Sequence, residues 1–256
     1  MTAEGEVRGF WDERAKAGRL SAGEVTHNDI WQRWLEIETT KRYLAPTMRL
    51  LDVGCGNGFA TRQYALLVQA TVGIDYSESM IQRAISETAA GVELSFHHAD
   101  VLELGPERFG MFDAAISTRC LINLQSWEDQ QRALGNIASV LRPGGRLVFI
   151  EGWAQGRARL NEMRRHVGLP EMPAVWHNID FDDEALLATA RSHFRLVDRR
   201  HFGVYDFVAR VVHPLMVDPE APKYDAGINE VGARLALHQQ EYGGISRVLY
   251  LVFERI

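Results

Sequence analysis

The residues that could bind a ligand lie in and near a glycine-rich turn. Asp52 precedes three alternate glycines, Gly54, Gly56 and Gly58, where an apolar strand pattern gives way to a helical one. Glycines let the backbone pass close to a ligand because no Cβ stands in the way, and doubly wound sheets bind nucleotides at such turns. The Asp52 carboxylate would repel a pyrophosphate. The pattern therefore favours a ligand that presents an ammonium group.

Two more carboxylates follow the next two strand patterns. Asp75 ends the second, where an acidic side chain can accept hydrogen bonds from both hydroxyls of a ribose. Asp100 follows the third, in a position to accept from an adenine amino group. One cationic, adenine-bearing ligand, S-adenosylmethionine, satisfies all three acids. The alternatives are that Asp75 caps a helix that begins near Ser77 and that Asp100 is a turn residue.

Short apolar runs that alternate with helical patterns must position these groups. We predict strands at 49–53, 71–75, 93–100, 112–117 and 146–151. Between them we predict helices over 59–69, from Ser77 onward, and from Trp127 to Leu141, where Leu134 and Ile137 recur on one face. Alternation of this kind predicts right-handed βαβ units in a parallel sheet.

The segments that flank this core have different patterns. Residues 1–45 predict a helical arm rich in tryptophan, which either packs on the sheet or covers the ligand as a lid. A strand near 194–202 and a terminal strand, 246–254, follow the core. The long connections 152–182 and 203–244 are insertions of the kind that form lids or substrate walls. We therefore expect a single domain over 1–256, with a core at 49–151.

Residues 49–151 resemble the family of class I S-adenosylmethionine-dependent methyltransferases. LLDVGCGNG is similar to its first motif, GIDYS to its ribose-binding acid, and HHADVLEL to its adenine-contacting segment. FDAAISTRCLINL and LRPGGRLVFIE resemble its fourth-strand and closing motifs. The resemblance implies a doubly wound, Rossmann-like sheet of seven mostly parallel strands. Its last strand is antiparallel, and residues 246–254 fit it.

The resemblance also assigns residues to the cofactor, S-adenosylmethionine. Asp52 and the backbone of the glycine turn would hold its amino acid part, Asp75 its ribose, and Asp100 its adenine. Thr118 and Arg119 would line the reaction chamber. The full set is Asp52, Gly54, Cys55, Gly56, Asp75, Tyr76, Met80, Asp100, Val101, Thr118, Arg119 and Asn123.

Methyl transfer from a sulfonium requires alignment of the nucleophile, exclusion of water and removal of a proton. Glu151, at the end of the fifth strand, and His177, within PAVWHNIDF, are candidate bases. We favour His177, although this stretch is also typical of a turn with an aromatic anchor; His27, His213 and Tyr205 are further candidates. Arg119 either pairs with a substrate carboxylate or phosphate or forms a structural ion pair.

The charge and the cysteine content limit which classes of partner are expected. With 28 basic against 34 acidic side chains and no dense basic stripe, the sequence does not favour nucleic acid. Cys55 and Cys120 supply neither a disulfide framework nor a zinc site, and we expect no metal. No apolar run approaches the ~20 residues that span a bilayer. The N-terminal residues lack an apolar leader core, so we expect a cytoplasmic protein and no membrane partner.

The acceptor is less defined by the sequence. Residues 117–120 read STRC where amino-methylating enzymes of nucleic acids and proteins often carry an Asn-Pro-Pro-Tyr type of tetrad. We expect a small-molecule acceptor with an oxygen, nitrogen or carbon nucleophile, since residues 152–182 resemble methyltransferases of bacterial natural-product and cell-surface sugar pathways. Alternatives are an S-adenosylmethionine-binding protein without methyl transfer and an NAD-dependent oxidoreductase. The latter would require G-x-G-x-x-G. A homodimer is possible.

Overall fold

A mixed β-sheet forms the centre of the computed structural model, which describes residues 3–17, 20–89, 91–219 and 221–256. Its seven strands in those residues have the order β3-β2-β1-β4-β5-β7-β6, and β7 runs antiparallel to both of its neighbours. This confirms the expected fold class. The strands are β1 (Arg49–Val53), β2 (Ala70–Asp75), β3 (Leu94–His98), β4 (Phe112–Thr118), β5 (Leu141–Gly152), β6 (Phe194–Arg200) and β7 (Val248–Arg255).

Helices cover both faces of this sheet. Those in the first half of the chain are α1 (Ala3–Lys16), α2 (Ile30–Lys41), α3 (Phe59–Ala65), α4 (Glu78–Ser86), α5 (Pro106–Phe109) and α6 (Trp127–Val140). The second half contains α7 (Ala154–His166), α8 (Asp183–Ala190), α9 (Gly203–Phe207), α10 (His213–Met216) and α11 (Gly227–Ala236). Short 3₁₀ turns at Val101–Glu103 and Leu121–Asn123 follow β3 and β4.

Two predicted elements differ from the structure by more than two residues at one end. The helix predicted over 59–69 ends at Ala65, because Leu66 lies on the surface at 71% exposure rather than on the buried face. The strand predicted at 146–151 begins at Leu141, which is buried and pairs with Phe112 before the register of β4 and β5 shifts.

The arm packs on the sheet through one helix and on α4 through the other. Leu35 and Ile37 of α2 are buried in one core cluster with Leu50 and Val148 of the sheet. Helix α1 instead packs on α4, where Ala15, Val25 and Met80 form a smaller cluster. Helix α2 therefore packs on the sheet, and a role of the arm as a lid over the ligand stays a prediction.

The strand order reverses at β1, which lies between β2 and β4. In open α/β sheets a crevice forms at such a point, outside the carboxyl ends of the strands, and ligands bind there. The glycine turn of residues 54–58 leaves β1 at this edge. Ser77 begins α4 nearby and caps it, because its hydroxyl accepts from the Met80 amide at 3.1 Å.

Candidate active site

A cavity of about 520 Å³ opens at the carboxyl ends of β1, β2 and β4. Its volume lies within the range of small-molecule sites. All the residues that the resemblance assigned to the cofactor line it, from Asp52 to Asn123. The arm and both insertions complete the wall, so segments far apart in the chain meet here.

The glycine turn is held in a conformation that other residues adopt only with strain. Gly54, Gly56 and Gly58 have φ of +70°, +54° and +73°. A Cβ on Gly54 would lie 2.5 Å from the Cys120 side chain, and one on Gly56 would lie 2.6 Å from Thr26 Cγ2. The turn is therefore packed between the arm and the loop after β4, and it presents backbone to the cavity.

The two acids nearest the turn are buried and only partly satisfied by the chain. Asp52 Oδ2 accepts from the Thr61 hydroxyl at 2.6 Å, and the Asp75 oxygens accept from the Gly56 and Ser77 amides at 2.9 Å each. A carboxylate has about four acceptor sites, so each retains capacity for a ligand. Burial raises the pKa of Asp52 to about 7 and that of Asp75 to about 6.

The part of the cavity near β3 contains an unsatisfied hydroxyl. Asp100 Oδ1 accepts from the Leu102 amide at 2.8 Å and caps the short turn there, which leaves its second oxygen for a ligand. The Tyr76 hydroxyl is buried and has no hydrogen-bond partner within the described residues. An orphaned hydroxyl in the cavity wall fits a polar ligand such as the adenosine part of S-adenosylmethionine.

The loop after β4 joins both helices of the arm. Arg119 has φ +50°, and its guanidinium group pairs with Glu36 of α2. Asn123 Oδ1 accepts from Trp11 Nε1 of α1 at 2.9 Å. The side-chain amide nitrogen of Asn123, Nδ2, donates to the Arg119 carbonyl at 2.9 Å. Arg119 therefore lines the cavity and also makes the structural ion pair that was its alternative role.

Sequence reasoning missed three further arginines of the cavity wall. Arg210 pairs with Asp29, and Arg247 pairs with Asp206 at 2.7 Å. Arg33 donates to the Gly23 carbonyl and the Thr26 hydroxyl. Arg210 and Arg247 lie 181 and 41 positions from their acidic partners, so no local pattern joins these two pairs.

Arg33 differs from the other three arginines in its charge partners. Within the described residues, no carboxylate lies within ion-pair distance of its guanidinium group, which lies 4.8 Å from the centre of the Phe59 ring. Burial, followed by repulsion from Arg119, lowers its pKa to about 10. It therefore remains a cation at neutral pH and has unused donors.

Two histidines line the cavity. The His177 ring lies 4.8 Å from Phe10 and 5.5 Å from Trp11, and its Nδ1 has no partner in the described residues. His27 Nδ1 lies 2.9 Å from the Asp29 carbonyl oxygen. Burial lowers the pKa of both rings, and for His27 the neighbouring arginines lower it further. Both imidazoles are therefore neutral at pH 7.

Three other candidates are placed differently from our expectation. Glu151 is fully buried and does not line the cavity, and its carboxylate accepts four hydrogen bonds from Ser117 and the loop after β4. These bonds are the physical reason that it is not placed to act as a base. His213 and Tyr205 are also buried outside the lining, and the Tyr205 hydroxyl donates to Asp29.

Comparisons with known proteins agree with the fold. Residues 50–145 match the family model described as a methyltransferase domain. The O-methyltransferase rstn1 of Aspergillus nomiae is 30% identical over 176 residues, 65% of this chain and 72% of that protein. Magnesium protoporphyrin IX methyltransferase (ChlM) of Synechocystis, solved with bound S-adenosylmethionine, has a TM-score of 0.62 at 14% identity and covers 100% of this chain and 98% of its own. The chain therefore belongs to the family of class I S-adenosylmethionine-dependent methyltransferases, whose methyl donor is S-adenosylmethionine.

Three further findings concern a second relative, metal binding and membrane-spanning helices. The O-methyltransferase cnsE of Penicillium expansum is 37% identical over 147 residues, and the chain spans about half of that relative's length, 49%. Among the described residues, no cluster of histidine, cysteine and acidic side chains could hold a metal ion. None of the described helices is long and apolar enough to cross a membrane.

Proposed function

We propose that this protein binds S-adenosylmethionine and transfers its methyl group to an oxygen atom of a small polar molecule, in the cytoplasm. The observation that carries the proposal is that all the cofactor-assigned residues line one cavity. The O-methyltransferase names of the relatives favour an oxygen acceptor. Two unpaired cysteines, whose thiol pKa values are raised by burial, fit a reducing compartment.

The amino acid part of the donor would lie between Asp52 and Arg33. The Thr26 side chain joins these two regions, because its hydroxyl accepts from Arg33 while its methyl group packs against Gly56. Asp52 would bind the ammonium group, and Arg33 would bind the α-carboxylate with its unused donors. The ribose and adenine would lie toward Asp75 and Tyr76.

The other half of the cavity favours a polar, hydroxyl-bearing acceptor such as a sugar-containing metabolite. Its wall contains the pairs Arg119–Glu36 and Arg210–Asp29, together with Arg247. Buried charged groups need hydrogen-bonding partners. An apolar acceptor would displace water from the charged side chains that face the cavity and would offer them no hydrogen bonds in its place. This supports the small-molecule natural-product or sugar context over a purely hydrocarbon acceptor.

The bound donor supplies an activated methyl group, and the protein must align the acceptor and remove a proton. As the new carbon–oxygen bond forms, the acceptor hydroxyl loses its proton. His177 is the candidate that takes it, since its ring lines the cavity and is neutral at pH 7. The aromatic rings of Phe10 and Trp11 beside it would exclude water.

Calorimetric titration of S-adenosylmethionine tests the cofactor half of the proposal. We expect micromolar binding that is lost in Asp75→Ala and kept in Glu128→Ala, which removes an exposed carboxylate of α6. Absence of binding by folded wild-type protein would contradict the proposal and direct attention to nicotinamide cofactors. Binding without conversion of S-adenosylmethionine to S-adenosylhomocysteine across a panel of hydroxylated acceptors would favour a protein that binds the cofactor without methyl transfer.

A further inference from the structure

Glu151 at the end of β5 organises the loop after β4, although it is on a different strand. Its Oε1 accepts from the Ser117 hydroxyl at 2.7 Å and from the amides of Cys120 and Leu121 at 3.2 and 3.1 Å. Its Oε2 accepts from the Ile122 amide at 3.2 Å. One side chain therefore binds consecutive amides of a single loop.

These amides need an acceptor because of where they lie. The first N–H groups of a helical turn have no partner within the turn, and here the turn Leu121–Asn123 is buried at Leu121 and Ile122. Its preceding residue, Cys120, makes no side-chain cap. The Glu151 carboxylate thus takes the role that an N-cap side chain has in other helices.

The same loop carries the contacts that hold the arm over the cavity. Arg119, in its left-handed conformation, pairs with Glu36 of α2. Asn123 accepts from Trp11 of α1. Within the described residues Glu151 makes no hydrogen bond to either helix, but it holds the backbone between Arg119 and Asn123.

We propose that Glu151 is a positioning residue that acts through the loop of residues 118–123 and thereby keeps both arm helices docked on the cavity. The proposal rests on the proposed function only in the choice of ligand for one of its two tests. Without the carboxylate, three loop amides and a serine hydroxyl lose their acceptor. Arg119 and Asn123 then no longer hold positions that match Glu36 and Trp11.

Hydrogen exchange of the free protein is the first test, and it requires no ligand. In Glu151→Ala we expect faster exchange in peptides from 118–123 and also from α1 and α2. Glu151→Gln, which keeps one carbonyl acceptor, should restore part of the protection. Leu186→Ala, in the fully buried part of α8, controls for general destabilisation and should leave the arm unchanged. Faster exchange confined to the loop, or equal changes in Leu186→Ala, would overturn the proposal.

A double-mutant cycle with S-adenosylhomocysteine is the second test. Trp11→Phe removes the indole N–H that donates to Asn123, and the variant keeps an aromatic ring at this position. Each single variant should raise the dissociation rate constant in stopped-flow measurements, by about tenfold if the lost contact is worth about 1.4 kcal/mol. The double variant should be little faster than Glu151→Ala alone, because both changes disrupt one docking contact. Additive effects would overturn the proposal. If wild-type protein did not bind S-adenosylhomocysteine, the proposed function would fail, and the exchange experiment would still test Glu151.

Discussion

The Arg119 guanidinium group pairs with the Glu36 carboxylate, 83 positions earlier in the chain, within the wall of the cavity. The pair joins the reaction-chamber loop to the helix that carries Arg33. Burial raises the pKa of Glu36, whereas the nearby arginines lower it. Because the two residues of the pair belong to different segments, this part of the cavity wall forms only when the arm is docked.

Arg33 should determine the affinity for the amino acid part of the cofactor. We expect Arg33→Ala to weaken S-adenosylmethionine binding by roughly 10- to 100-fold, since a hydrogen bond to a charged group contributes about 1.5–3 kcal/mol. Calorimetry measures the change. Arg132→Ala, which removes an exposed arginine of α6, is the control and should bind normally.

Methylthioadenosine sharpens this experiment because it has the same nucleoside and sulfur but no carboxylate. Its affinity should be equal in wild type and Arg33→Ala. If both ligands lost affinity to the same extent, Arg33 would act on the fold of the arm rather than on the carboxylate.

Cofactor binding should strengthen as the pH rises from about 5.5 to 7. Burial raises the pKa of Asp52 to about 7 in the free protein, and a bound ammonium group lowers it again because it favours the ionised form. Binding therefore releases a proton in this range, and affinity increases until Asp52 is ionised without ligand. Titrations in buffers of different ionisation enthalpy measure the proton released. In Asp52→Asn this release should diminish; an unchanged release would assign it to Asp75 or another group.

The sequence predicted well which residues between 52 and 123 line the cavity, and it predicted poorly which arginines and acids complete the wall. Asp52, Asp75 and Asp100 follow consecutive strands, and parallel strands bring their carboxyl ends to one edge, so spacing along the chain determined their positions. Arg210 meets Asp29 across 181 positions, and the relative placement of an insertion and an arm has no local signature. Glu151, like Asp52, lies near the carboxyl end of its strand. Its side chain is nevertheless directed into the interior, because the adjacent loop needs an acceptor.

The stability of the ligand-free protein should also depend on Glu151 ionisation. Burial raises the pKa of Glu151 in the folded state to about 7, above its ordinary value of 4.5. The folded state therefore binds the proton more tightly. The resulting stabilisation is complete below about pH 4.5 and is lost as the pH rises through 7, by on the order of 3 kcal/mol.

Urea unfolding of wild type and Glu151→Gln at pH 5 and pH 8 measures this effect. The variant keeps a neutral side chain at both values. From pH 5 to pH 8 the free energy of unfolding of wild type should therefore fall, relative to that of Glu151→Gln. Glu128→Gln, an exposed substitution, should show no such shift. A difference that does not change with pH would mean that Glu151 is already ionised at pH 5.

His177 should affect methyl transfer and leave cofactor binding unchanged. Its neutral ring lies against Phe10 and Trp11 in the wall of the cavity. If the His177 ring takes the proton from the hydroxyl group of the methyl acceptor, His177→Asn should lower kcat by about 10²- to 10⁴-fold. The dissociation constant of S-adenosylmethionine should change little. The measurement is formation of S-adenosylhomocysteine with a hydroxylated acceptor from the panel, and His166→Asn on the exposed end of α7 is the matched control. A loss of rate that disappears at high pH would support a base, because a deprotonated acceptor no longer needs one. Equal loss at all pH values would mean that the ring only shapes the wall.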